Sequence, residues 1–176
     1  MNIQTDMSAG ELSSSHLQRL AIRVGMHLVD AERRLVTAES CTGGWIGKVI
    51  TDIPGSSAWY LGGVVSYSNA LKQTLLGVPH ATLSTAGAVS EPTARQMAIG
   101  ALDTLGGDVA IAVTGIAGPD GGMPGKPVGT VWFGWAWRAQ AAIETRVALE
   151  TFTGDREAVR RQAVRRALNE LLVLVD

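Results

Sequence analysis

The sequence predicts an α/β protein: a three-layer α/β/α sandwich on a mixed, mostly parallel sheet of about five strands, closed by a late antiparallel hairpin. Three observations carry that expectation. Short apolar runs alternate with segments of helical periodicity through the chain as far as Thr114, the pattern of strands joined by helical crossovers. Residues 108–114 form an apolar, β-branched run, as a strand covered on both faces requires. Residues 130–138 and 142–152 alternate in polarity and are separated by only a few residues, which reads as a hairpin.

Each element has its own local reason. Residues 1–14 are polar and Ser-rich and are expected to be a mobile tail before a single domain spanning 15–176. Ser14 or Ser15 is expected to cap a helix carrying Leu17, Leu20, Ala21, Val24 and Leu28 on one stripe. A strand over 34–38 leads through Glu39 to Ser40, and a helix is expected over 45–51. Pro54-Gly55-Ser56-Ser57 is a turn, and 61–67 is a second strand. A short helix over 69–76 ends at Gly77 and Pro79, with His80 in a loop. Ser90-Glu91-Pro92 starts a helix carrying Ala94, Met97, Ala98, Ala101, Leu102 and Leu105. The loop 115–129 holds six glycines and three prolines, and a connection of that length is usually functional or mobile. Asp155 caps the last helix, with Val159, Ala163, Ala167, Leu168 and Leu171 inward.

Composition narrows the function. With 176 residues, 46% of them hydrophobic and 18% charged, the chain can bury a real core in one domain. A formal net charge of −1 offers no electrostatic argument for nucleic acid or an anionic membrane. One cysteine, Cys41, excludes a disulfide framework and a zinc-type cysteine cluster, as suits a reducing cytoplasm. No secretory signal and no membrane-spanning run is expected, so the chain reads as cytoplasmic.

The chemistry concentrates in Ala38-Glu39-Ser40-Cys41-Thr42-Gly43-Gly44. A strand that delivers a serine to the start of a helix sets a hydroxyl beside unpaired backbone N–H groups, which stabilise anions. Ser40 is therefore a candidate nucleophile; the plainer reading is a capping serine. The segment is not a Walker A loop, because Gly43 and Gly47 enclose three residues rather than four and Lys48 is followed by Val49. His16, His27 and His80 all lack a motif-like setting, so a histidine base has little support. A lysine can serve when burial leaves it neutral. Lys72 lies just after the second strand, near Tyr67 and Asn69; the plainer readings are an exposed lysine and a half-buried tyrosine at a strand end. Neighbouring parallel strands would bring Ser40, Tyr67 and Thr114-Gly115 to one edge of the sheet, where α/β folds build sites. Arg156 stands in the first turn of the last helix, an unfavourable place for a cation, which suggests a functional reason such as a phosphate. Arg160, Arg161, Arg165 and Arg166 read as a solvated face.

Eight segments occur in order: 38–44, 54–57, Gly62-Gly63-Val64-Val65-Ser66-Tyr67-Ser68-Asn69, Lys72, Gly87-Ala88-Val89-Ser90, Thr114-Gly115-Ile116-Ala117-Gly118-Pro119, Lys126-Pro127-Val128-Gly129-Thr130-Val131 and Gly154-Asp155-Arg156. From about residue 17 to the end, this ordered set closely resembles the CinA C-terminal domain family, whose stand-alone members are nicotinamide-nucleotide amidases. One small departure is Trp59-Tyr60, where an aromatic such as Phe is usual. The larger N-terminal domain fused to many relatives is not expected here. The resemblance implies hydrolysis of the carboxamide of nicotinamide mononucleotide, without metal or organic cofactor. It implies Ser40 as nucleophile, Lys72 as base and Tyr67 as its companion, orienting Lys72 or relaying a proton. Thr114, Gly115 and Arg156 would hold the nucleotide, and the N–H groups near Thr42, Gly43 and Gly44 would receive the oxyanion. The alternatives are a nucleotide-binding or protein-interaction module with little catalysis, or an amidase for another pyridine nucleotide. The expected partner is the small-molecule substrate, with no nucleic acid or membrane, and a homodimer or higher homo-oligomer is expected.

Overall fold

Side-chain alternation along the strands divides the protein into two hydrophobic layers. The structure, a computed structural model, describes residues 9–140 and 142–175. Its sheet contains β1 (Leu35–Glu39), β2 (Tyr60–Val65), β3 (Val109–Gly115), β4 (Thr130–Arg138) and β5 (Ile143–Thr151), in the order β2-β1-β3-β4-β5. β1 runs parallel to β2 and β3, and β4 is antiparallel to both β3 and β5. Four strands therefore point one way and β4 the other, matching the expected mixed sheet.

Leu35, Val109, Ile111, Val113, Phe133 and Trp135 face one layer, formed by α1 (Ala9–Asp30), α2 (Trp45–Thr51) and α6 (Arg156–Val175). Val36, Ala38, Ala110, Ala112 and Ala136 face the other, formed by α3 (Asn69–Leu76), α4 (His80–Thr85) and α5 (Glu91–Leu105). The second face is built largely of alanines, which lets α5 lie close to the sheet. Every inward residue expected on the first and last helices is buried.

Caps explain most helix boundaries. Ser68 accepts from the N–H of Leu71, and Gly77 closes α3 in the left-handed conformation. Ser90 caps α5, with Pro92 in its first turn, and Asp155 accepts from the N–H of Ala158 at 2.8 Å. Two expectations need correction. Ser14 and Ser15 lie inside α1, whose described part opens at Ala9, so neither is its cap; Ser15 instead receives the Arg19 guanidinium at 3.2 Å. Serine costs little inside a helix whose apolar stripe is otherwise continuous. Of the expected tail, residues 1–8 lie outside the described residues. His80 opens the short helix α4 rather than lying in a loop; a six-residue helix burying only Leu83 is too short for periodicity to reveal. No helix of the described residues is long and apolar enough to cross a membrane.

One close approach fixes where α3 sits. A Cβ built on Gly100 of α5 would lie 1.9 Å from the carbonyl oxygen of Leu76, the last residue of α3. Only a glycine admits that contact, and α3 carries Lys72. We expect Gly100→Ala to destabilise the fold by about 1–3 kcal/mol in denaturant unfolding, since the added methyl meets backbone rather than a yielding side chain.

Candidate active site

The parallel strands end together. Glu39 pairs with Val65 on one side and Val113 on the other. The pairing runs one residue further, from the N–H of Ser40 to Val113 O and from the N–H of Ser66 to Glu39 O, both at 2.9 Å. Ser40, Ser66 and Thr114 thus share the carboxyl edge of the sheet. The period of two then separates neighbours: Glu39 turns toward α2, and Ser40 turns toward α3.

Lys72 meets Ser40 there. Its Nζ donates to Ser40 Oγ at 3.1 Å, to Ser66 O at 2.7 Å and to Tyr67 O at 3.4 Å. Lys72 is only 1% exposed, so the exposed-lysine reading is wrong. Burial strips water from the ammonium and pushes its pKa below the ordinary lysine value of 10.5. Three acceptors match the three N–H bonds of the charged form. The neutral amine fits equally well: two N–H groups serve the two carbonyls, and the lone pair faces the Ser40 hydroxyl.

The loop after Ser40 differs from the expected anion cradle. Gly43 and Gly44 take φ of +62° and +91°, the left-handed region that favours glycine. Their N–H groups are not available, however: Gly43 donates to Ser40 O at 3.0 Å and Gly44 to Glu39 Oε2 at 3.1 Å. Buried Glu39 also accepts from the N–H groups of Ile46 and Gly47, at 3.1 and 2.9 Å. Its carboxylate occupies the N-terminus of α2, the place sequence reasoning had left for a substrate anion. Ser40 caps nothing. Among the described residues, Cys41 and Thr42 are the positions of segment 40–45 whose N–H has no acceptor on another residue.

A cavity of about 200 Å³ opens over Ser40 and Lys72; Tyr67, Thr114, Gly115 and Arg156 also line it. Six of the nine expected site residues therefore meet. Tyr67 is 61% exposed rather than half-buried. It touches Lys72 through its carbonyl, while its hydroxyl accepts from Arg156 Nη2 at 3.1 Å. Arg156 also donates to Gly118 O at 2.6 Å, and Thr114 Oγ1 donates to Ala88 O at 2.8 Å. Gly43 and Gly44 line a second cavity, of about 570 Å³, with Trp45, Lys48, Arg156 and Arg160. Arg156 is common to both. None of the three histidines lines either cavity.

Some residues escaped sequence reasoning. Glu39 gave no signal beyond its place before Ser40. Arg160 is not a solvated side chain: it donates to Cys41 O at 3.1 Å and Thr42 O at 2.7 Å. Arg166 bonds Glu150 and Glu170 and lies over the Trp135 ring at 5.4 Å. Cys41 also lines the smaller cavity, but burial pushes its thiol up to about 12, so it is not a competing nucleophile near neutral pH.

An α/β/α sandwich with a buried Ser–Lys pair at the carboxyl edge of its parallel strands is thus in place. The chain belongs to the CinA C-terminal domain family, whose profile matches residues 17–175. It is 52% identical over 160 residues to the nicotinamide-nucleotide amidohydrolase PncC of Escherichia coli K12, covering 91% of this chain and 95% of that one. The Pseudomonas putida protein of the same name is 51% identical over 155 residues, covering 88% and 94%. Among solved structures, a competence damage-inducible protein A from Klebsiella pneumoniae superposes with a TM-score of 0.85 at 41% identity, covering 89% and 95%.

Two measurements check this electrostatic picture. The folded state binds the Lys72 proton more weakly than the unfolded chain does. Unfolding free energy should therefore rise with pH between the lowered folded pKa and 10.5, and Lys72→Met should lose that slope in pH-dependent denaturant titrations. The native protein should resist thiol alkylation at pH 8 and react at Cys41 only once unfolded, as mass spectrometry would show.

Proposed function

We propose that this chain hydrolyses the carboxamide of nicotinamide mononucleotide to nicotinic acid mononucleotide and ammonia, with Ser40 as nucleophile and Lys72 as its base. The observation that carries the reading is the buried 3.1 Å contact between Lys72 Nζ and Ser40 Oγ. Amidohydrolase activity itself is supported by 52% identity to a nicotinamide-nucleotide amidohydrolase over 91% of the chain.

In the proposed reaction Ser40 Oγ attacks the amide carbon while its proton passes to the Lys72 amine. The N–H groups of Cys41 and Thr42 receive the oxyanion, replacing the Gly43 and Gly44 donors that the fold has committed elsewhere. The tetrahedral species collapses, the C–N bond breaks, and the Lys72 ammonium returns its proton to the departing ammonia. Water then attacks the acyl-enzyme, losing a proton to Lys72, and collapse breaks the bond to Ser40 Oγ, which takes that proton back from the Lys72 ammonium as the carboxylic acid is released. The pyridinium charge of the substrate makes the amide carbon more electrophilic, which lowers what the protein must supply.

The reading divides the substrate between the two cavities. The nicotinamide enters the smaller one, against Thr114 and Gly115, and the ribose phosphate extends past Arg156 into the larger one. Tyr67 acts through its carbonyl on Lys72 and its hydroxyl on Arg156. Its hydroxyl thus braces the nucleotide side of the site rather than relaying a proton.

The test is ammonia release from nicotinamide mononucleotide beside nicotinamide, the riboside and the dinucleotide. The mononucleotide should be preferred. Ser40→Ala and Lys72→Arg should each lose about 10⁴-fold or more in kcat, since arginine stays protonated and is no base. Calorimetry should find that Ser40→Ala still binds the nucleotide. Near-normal turnover by Ser40→Ala, or no ammonia from any of the four compounds, would overturn the assignment.

A further inference from the structure

The carbonyls of the nucleophile loop are held from one side by a single side chain. Arg160, on α6, donates through Nε to Cys41 O at 3.1 Å and through Nη2 to Thr42 O at 2.7 Å. Its guanidinium carbon also lies 5.3 Å from the centre of the Trp45 ring, so the fork is steadied by a cation–π contact. Gly43 leaves room for this approach: a Cβ there would lie 3.3 Å from Arg160 Nη2.

These bonds orient the peptides. In a trans peptide the C=O and the following N–H point in opposite directions. Holding Cys41 O toward Arg160 therefore turns the N–H of Thr42 away from it. The Gly43 N–H bond to Ser40 O does the same for the preceding peptide, turning the N–H of Cys41 away from Gly43. The two donors without an acceptor on another residue are thus fixed by what their carbonyl partners do. A charged donor on the Cys41 carbonyl also polarises that peptide and strengthens its N–H.

We propose that Arg160 is a positioning residue for the attack step: through Cys41 O it sets the N–H of Thr42 directly, and through Thr42 O it holds the peptide whose Gly43 N–H grips Ser40 O and so sets the N–H of Cys41, both before substrate arrives. The inference rests on the Ser40 mechanism above. It assigns Arg160 to kcat, although its place beside the larger cavity would suit a phosphate-binding cation, which would govern KM.

The experiment measures kcat and KM on nicotinamide mononucleotide for the wild type, Arg160→Lys and Arg160→Ala, with thermal unfolding of each. A lysine keeps the charge but lacks the fork that spans two carbonyls. It should lose about tenfold to a hundredfold in kcat, with KM within about threefold and the acid limb of the pH profile in place. Guanidinium added to Arg160→Ala should recover part of kcat without moving its melting temperature, a response that a merely structural role does not give. If Arg160→Ala fails to fold, Arg160→Lys carries the test alone. A kcat within twofold of wild type in Arg160→Lys overturns the proposal whatever KM does, and so does a loss that comes with a displaced Lys72 limb. A wild type without activity overturns the amidase reading itself, so the two failures are told apart.

Discussion

The structure depends on one expensive placement, an amine buried at the edge of a sheet. Lys72 is withdrawn from water as completely as the core leucines, and an ammonium there is tolerated only because three oxygens surround it. None of those oxygens is a carboxylate. Two are backbone carbonyls and the third is the Ser40 hydroxyl, so no anion locks the charged state. Desolvation opposes the proton and hydrogen bonding favours it, and desolvation prevails in direction. A group balanced in this way can lose and regain a proton at modest cost, which is what a general base requires.

Much of the remaining architecture follows from holding that amine in position. The Ser66 carbonyl is aimed by the last pairing of β2 with β1, and the Ser40 hydroxyl by the last pairing of β1 with β3. Lys72 stands four residues before Leu76, so the stripe that seals α3 into the second hydrophobic layer also delivers Nζ to the strand ends. Glu39 does the complementary work on the opposite face. Its carboxylate satisfies three N–H groups at the start of α2, so the strand-to-helix turn is rigid before any ligand arrives. The same bonds remove the helix terminus as an anion site, which is why the proposed mechanism turns to the peptides next to Ser40.

The sequence made the sheet legible because its signals are local. Alternation, the Ser90 cap and Asp155 located the strands and most helices to within a residue or two. Lys72 was not legible in that way. Its spacing from Leu76 is compatible with an exposed lysine on a short helix, and nothing within the helix records that two strand ends converge above it. The ordered resemblance supplied what local chemistry lacked. The N–H assignment of Gly43 and Gly44 failed for a related reason. Glycines after a serine suggest an open cradle, but which N–H groups remain open depends on Glu39, whose side-chain direction follows from strand register. Arg160 was misjudged because a basic residue on a helix normally reads as solvated; its partners lie more than a hundred positions away in the chain.

Helix α6 gathers these long-range dependences. Arg156 and Arg160 stand four residues apart and so project from one face of the helix. Arg156 reaches Gly118 O, beyond β3, and the Tyr67 hydroxyl, beyond β2; Arg160 reaches the loop that leaves β1. One helix face thereby ties together the loops of all three parallel strands. A cation in the first turn is disfavoured by the helix dipole, and Arg156 offsets that by sending its charge away from the helix to acceptors on neighbouring loops. Because the loops share these two anchors, the segment bearing Ser40, the strand end bearing Tyr67 and the Gly-rich segment after β3 are not independent. A shift of α6 would disturb the peptides that flank Ser40 together with the residues facing the larger cavity, so in the proposed reaction nucleotide binding and alignment of the attack depend on one helix face.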